Sequence, residues 1–218
     1  MASWSPENAS QAFLRAIKMG KRSKQPDISE FISALAAGNN AQLMVMVSAR
    51  VAGSTALSLV AAAHQTGGQA VCILPTESGL NASRNALGHY ANCIKFVVGD
   101  AKTLLINDYK GADFVLIDCN IHDSKKVFTA AQKCGKNGEG LIVGYNALGK
   151  GHWPCEFRTH FLPIGEGLMV TKVGSKIGNY GDVNRKKSKW VSRVDKCTGE
   201  EHVYRINYLQ QEIEACQG

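Results

Sequence analysis

Apolar positions in the first two thirds of the chain fall into short unbroken runs, each followed by a stretch with helical spacing. The runs are "AQLMVMV", "QAVCIL", "CIKFVVG", "GADFVLIDC" and "GEGLIVGY". None alternates cleanly between apolar and polar, the pattern of strands buried on both faces of a parallel sheet. Between them lie "STALSLVAAAHQ", "SGLNASRNALGHY" and "SKKVFTAAQKC", which read as amphipathic crossover helices. Right-handed crossovers make this a doubly wound, Rossmann-like α/β layer of five parallel strands.

Two helices are predicted ahead of the first strand. Pro6 and Glu7 suit a first turn and Gly20 a stop, so residues 6–19 read as a helix with Ala9, Phe13, Ala16 and Ile17 in its apolar stripe. Asp27 with Glu30 three residues on predicts a capping box for a second helix, with Ile28, Phe31, Ile32 and Leu35 on one face.

The rhythm changes after Gly144. "CEFRTHFLPIGEGLMVTKV" is two strand-like runs around Gly-Glu-Gly, hence an antiparallel hairpin at a sheet edge. "SKWVSRV" and "EHVYRI" are two further short strands, and "NYLQQEIEACQG" is a short polar helix or a loose tail. The expected organisation is an α/β domain over residues 1–174, including the two N-terminal helices, with a basic β extension over 175–218 packed on it.

Bulk composition narrows the class. A chain of 218 residues with 44% hydrophobic and 20% charged content suits one globular domain with an appendage. No apolar run approaches the roughly 20 residues of a membrane helix. The N-terminus has no signal-peptide apolar core, so a cytosolic or nuclear location is expected. Seven scattered cysteines without a CxxC pair signal neither a disulfide framework nor a zinc site. The net charge is +7, and residues 175–206 hold eight cations against four carboxylates. Residues 185–193 could therefore contact nucleic acid or a protein partner, or form a solvated basic face.

In open parallel sheets, ligands sit beyond the carboxyl ends of the strands where strand order reverses. Polar residues collect there: Ser48 and Ser54 after strand one, Asp100 after strand three, Asp118, Asn120, His122 and Asp123 after strand four, and Asn146 after strand five. No G-x-G-x-x-G follows strand one, which argues against a dinucleotide site. Simpler uses exist for the same groups. Asp118 or Asp123 could cap the following helix, Asp100 could cap the helix at "AKTLL", and Trp153 and Trp190 could simply pack.

The order of short motifs resembles the class I S-adenosylmethionine-dependent methyltransferases, on the O-methyltransferase branch with the caffeoyl-CoA enzymes. The resemblance rests on "GSTALSLVAAA", "GDAKTLL", "ADFVLIDCNIHDS", "GEGLIVGYNALGKG" and "LPIGEGLMVTKV", in that order between Asp27 and Val173. Over the whole chain the wording also resembles a plant family of methyltransferase-like proteins.

The resemblance implies a seven-stranded fold, an S-adenosylmethionine cofactor and a small-molecule acceptor, and it leaves a homodimer open. It implies cofactor contacts at Ser48, Gly53 and Ser54, with Asp100 and Ala101 flanking the adenine. Asp118 and Asn146 would be two ligands of a Mg²⁺ ion, which favours hard oxygen donors. Departures fall at named positions. Met46 and Leu74 stand where the family has acids, with Glu77 the nearest substitute for the second. Tyr145 stands in place of a second metal carboxylate. His122 and Asp118 are then the expected catalytic pair, with His122 as base. The competing reading is a catalytically inactive, methyltransferase-like binding protein that works through its basic C-terminal segment.

Overall fold

A computed structural model describes residues 4–20, 28–135, 139–150, 153, 157–176, 188–194 and 201–207. The N-cap of the Asp27 capping box, residues 185–187 and the C-terminal eleven residues lie outside that set, as does the side chain of Trp190.

Two helices, α1 (Pro6–Met19) and α2 (Ile28–Gly38), precede β1 (Leu43–Val47). The alternation continues through α3 (Ser54–Thr66), β2 (Gln69–Leu74), α4 (Glu77–Leu87) and a 3₁₀ turn (Gly88–Cys93). It then runs through β3 (Ile94–Val98), α5 (Ala101–Asn107), β4 (Phe114–Asp118), α6 (Ser124–Cys134) and β5 (Gly140–Tyr145). The edge hairpin is β6 (Phe157–Leu162) and β7 (Leu168–Lys176).

Local chemistry sets the boundaries. Ser5 caps α1 by accepting from Asn8 N at 3.2 Å, with Pro6 in the first turn. α3 stops at Gly67, whose φ of 71° is the left-handed conformation that favours glycine. Thr76 caps α4 by accepting from Gly79 N at 3.2 Å.

The sheet order is β3-β2-β1-β4-β5-β7-β6. β1 to β5 run parallel, and β7 lies antiparallel between β5 and β6. Strand order therefore reverses between β1 and β4. The two-residue side-chain period divides the core. Met44, Met46, Cys72, Leu74, Leu116, Val143 and Tyr145 face the layer that holds α2 and α3. Val45, Val47, Ile73, Ile117 and Ile142 face α6.

One sequence expectation needs correction. The buried residues of α1 are Ala9, Ala12 and Ala16, while Ile17 is 40% exposed. Only small side chains are fully buried in the seam, so Ile17 faces outward and Phe13 is half-buried.

A second compact unit spans Ile177–Gly218. In it β8 (Ser188–Val194) and β9 (Glu201–Asn207) pair antiparallel as a separate two-stranded sheet.

Candidate functional site

The loop Ser48–Gly53, between β1 and α3, sits at the strand-order reversal. Ser48 N donates to Ile73 O at 3.1 Å, which extends the β1–β2 ladder by one residue. The residue is 2% exposed, and its hydroxyl has no hydrogen-bond partner among the described residues. Buried polar groups normally find partners, so this hydroxyl is an exception at the cleft wall.

The loop is stitched to α4. Ala52 N donates to Ser83 Oγ at 2.8 Å, and Ser83 Oγ donates to Gly79 O at 2.6 Å. A Cβ on Gly79 would stand 2.4 Å from Arg50 O, so only glycine allows this approach of backbone to backbone. Gly53 is the N-cap of α3 and contributes no side-chain cap bond. The first-turn N–H groups of a 13-residue helix are thus left free of a side-chain cap, in the setting that favours anions.

Asp118 ties three loops together. Its Oδ1 accepts from Asn120 N at 3.0 Å and from Asn146 Nδ2 at 2.9 Å. Its Oδ2 accepts from Ala49 N at 3.3 Å. The loops after β1, β4 and β5 are thereby fixed to one carboxylate that is 8% exposed. Asn146 holds a left-handed φ of 56° while reaching it, and Lys150 Nζ donates to Asn120 Oδ1 at 2.8 Å.

Asp118 therefore does not cap the following helix. Asp123 occupies the N-cap of α6 but makes no side-chain cap bond. Its carboxylate lies 3.1 Å from Lys126 Nζ and 3.6 Å from His122 Nδ1, and the bond from Lys126 holds it below the usual carboxylate range. Asp100 does cap α5. Its Oδ2 accepts from Thr103 N at 2.8 Å and from Thr103 Oγ1 at 2.6 Å, and these bonds lower its pKa.

A cleft of about 540 Å³ opens at the carboxyl ends of β1 to β4, within the range of about 300–1,000 Å³ for small-molecule sites. Ser48, Arg50, Leu74, Asp100, Ala101 and His122 line it. A second cleft, of about 480 Å³, includes Gly53 and Ser54. The expected cofactor residues are thus divided: Ser48, Asp100 and Ala101 share one cleft with His122, and Gly53 and Ser54 line the other. Glu77 is exposed in the first turn of α4 and lines neither. Arg50 was not among the expected residues. Its signal was a cation in the loop directly after the first strand.

The three acid-to-neutral departures share one place. Met46, Leu74 and Tyr145 are 1%, 0% and 7% exposed and belong to the same apolar cluster. The Tyr145 phenol is pushed well above its usual pKa, first by burial and then by the charge of Asp118. The Ser48 hydroxyl acts in the opposite direction and is the weakest of these influences. Tyr145 is accordingly a neutral group at neutral pH.

These residues do not fit a Mg²⁺ ion. Both oxygens of the one carboxylate already accept from N–H donors, and its strand neighbour across β4–β5 is a protonated phenol. Mg²⁺ needs free hard oxygen ligands. Among the described residues, no group of three or more His, Cys, Asp or Glu side chains is placed to share a metal ion. Trp153 packs: it is 4% exposed and meets Phe128 edge-on at 5.5 Å.

The parallel core, with its antiparallel strand inserted between β5 and β6, defines an α/β methyltransferase fold. The chain belongs to a protein family of unknown function, DUF1442, whose model matches residues 1–206. No curated protein sequence matches it. Among solved structures it is similar to an S-adenosylhomocysteine-bound methyltransferase, PaMTH1, from Podospora anserina, with a TM-score of 0.56 and 15% identity, covering 79% of this chain and 90% of that one. The O-methyltransferase from Bacillus cereus in complex with S-adenosylhomocysteine gives 0.53 and 16%, covering 77% and 89%. The O-methyltransferase TomG from Streptomyces achromogenes, in complex with S-adenosylmethionine, gives 0.53 and 17%, covering 79% and 92%.

Proposed function

We propose that this protein is an S-adenosylmethionine-dependent methyltransferase acting on a small-molecule acceptor without a metal ion. The observation that carries the proposal is the cleft at the strand-order reversal, with the buried, unpartnered Ser48 hydroxyl in its wall. The cofactors named for the Podospora, Bacillus and Streptomyces structures support the same reading.

When bound, the cofactor supplies an electrophilic methyl group. Asp100 and Ala101 would border the adenine, and Ser48 would face the nucleoside end. The first-turn N–H groups of α3, with Ser54, would hold the methionine carboxylate if the cofactor reaches from the first cleft into the second. Leu74 offers apolar contact where an acid would accept ribose hydroxyls. Loss of such a charge-assisted contact, worth about 1.5–3 kcal/mol, lowers affinity by about ten- to a hundred-fold. His122, at the rim and fully exposed, takes the acceptor's hydroxyl proton and passes it to water. Asp118 is a positioning residue, because its oxygens are occupied by loop N–H groups. Holding donor and acceptor in line supplies the rest of the rate.

The test is methyl transfer from labelled cofactor to a panel of small hydroxylated acceptors. His122→Ala should lower turnover by about 10²-fold or more while leaving S-adenosylhomocysteine affinity unchanged. Turnover that ignores His122 would remove its role.

The apolar cluster of Met46, Leu74 and Tyr145 favours a second reading, a binding protein of the same fold without the chemistry. Its working surface would be the basic segment 185–193. Partner binding would then weaken with salt and with Lys186→Glu, Lys187→Glu and Lys189→Glu.

A further inference from the structure

α1 meets its neighbours through alanines, which leaves a groove beside it. The groove lies between α1, α3 and the 3₁₀ turn and holds about 330 Å³. Leu14, Met19, Val60 and Tyr90 supply its apolar wall, and Arg15 and Lys18 supply charge. Among the described residues, no carboxylate lines it. Neither cation has an ion pair or hydrogen bond among the described residues. Leu14 stands 50% exposed at this face.

We propose that this groove binds a small amphipathic anion, an apolar chain or ring that ends in a carboxylate. An apolar concavity with a few polar groups at its edge is the usual form of a small-molecule site. Burying the ligand's apolar body contributes about 25 cal/mol per Å², which would suit any apolar guest. The two cations, unpaired among the described residues, supply the selection, because a neutral guest of the same length gives them no counter-charge. The same cations disfavour a second copy of this chain, which would bring Arg15 and Lys18 against Arg15 and Lys18. The site involves neither Ser48 nor His122, but Met19 and Tyr90 also line the cleft that holds Gly53 and Ser54.

Cys93 provides a readout, since it lines the groove and its thiol is exposed. Decanoate is the probe and decanol its uncharged control, both added to the full chain. Decanoate should bind saturably and slow alkylation of Cys93, followed peptide by peptide, by several-fold. Decanol should bind at least tenfold more weakly. Arg15→Glu with Lys18→Glu should abolish the protection, and Leu14→Glu, at an exposed position, should do the same. Lys133→Glu, on α6, should have no effect. Unchanged melting temperatures and unchanged S-adenosylhomocysteine titrations would separate loss of this site from loss of fold or of the cofactor cleft. The proposal is overturned by the absence of saturable decanoate binding, by equal binding of decanol, by charge reversal without effect, or by protection that arises from dimerisation.

Discussion

Asp118 carries more of the site's geometry than any other residue. Replacing it by alanine leaves three N–H donors, on Ala49, Asn120 and Asn146, without their acceptor. A lost set of this kind costs about 2–4 kcal/mol, since each buried unsatisfied group costs about 1–3 kcal/mol and the loops relax in part. Urea unfolding of Asp118→Ala should show a loss of that size. A loss below about 0.5 kcal/mol would mean that the tie is not structural. Mg²⁺ should leave the wild-type melting temperature unchanged, because Asp118 is already engaged by three N–H donors and Tyr145 supplies no second carboxylate. A rise of several degrees with Mg²⁺ would contradict this. The family motifs brought Asp118 and Asn146 together in the sequence, and the structure sets them 2.9 Å apart. Their mutual bond was not legible, because it depends on how three loops far apart in the chain converge.

At the scale of elements, the contact between the Ser48–Gly53 loop and α4 shapes the cleft. Gly79→Ala would drive a methyl group into Arg50 O at 2.4 Å and force the loop away. S-adenosylhomocysteine affinity should fall at least tenfold, read by calorimetry, while far-ultraviolet circular dichroism stays near that of the wild type. Unchanged affinity would show that the loop does not shape the cofactor site. Ser83→Ala would orphan the buried Ala52 N–H, for a loss of about 1–3 kcal/mol in chemical denaturation. Neither Gly79 nor Ser83 could be picked out from the chain, where both read as ordinary small helix residues. The strands were legible because burial on both faces demands unbroken apolar runs. The inward face of α1 was not. Alanine and isoleucine both read as apolar, and only the closeness of the seam decides between them.

For the whole molecule, the sheet topology was legible from periodicity and motif order, and the division of the cofactor residues between two clefts was not. Buried thiols make stability depend on alkali. Burial pushes Cys72 up to about 12, from an ordinary value near 9. The folded chain keeps that proton while the unfolded chain releases it. The stabilisation is therefore complete below pH about 9 and is lost as pH rises towards about 12. The slope from this one group is about 1.4 kcal/mol per pH unit. Cys119 and Cys134 act in the same direction. Denaturation midpoints should fall steadily above pH about 9, and Cys72→Ala should flatten the fall. A midpoint that does not move up to pH about 10.5 would contradict the assignment.

Calorimetric titration of the full chain with S-adenosylhomocysteine tests the central claim most directly. The account predicts saturable binding of one molecule per chain, weakened by Gly79→Ala and unaffected by Mg²⁺. No heat of binding at millimolar ligand would contradict it and would leave a methyltransferase fold used for another purpose.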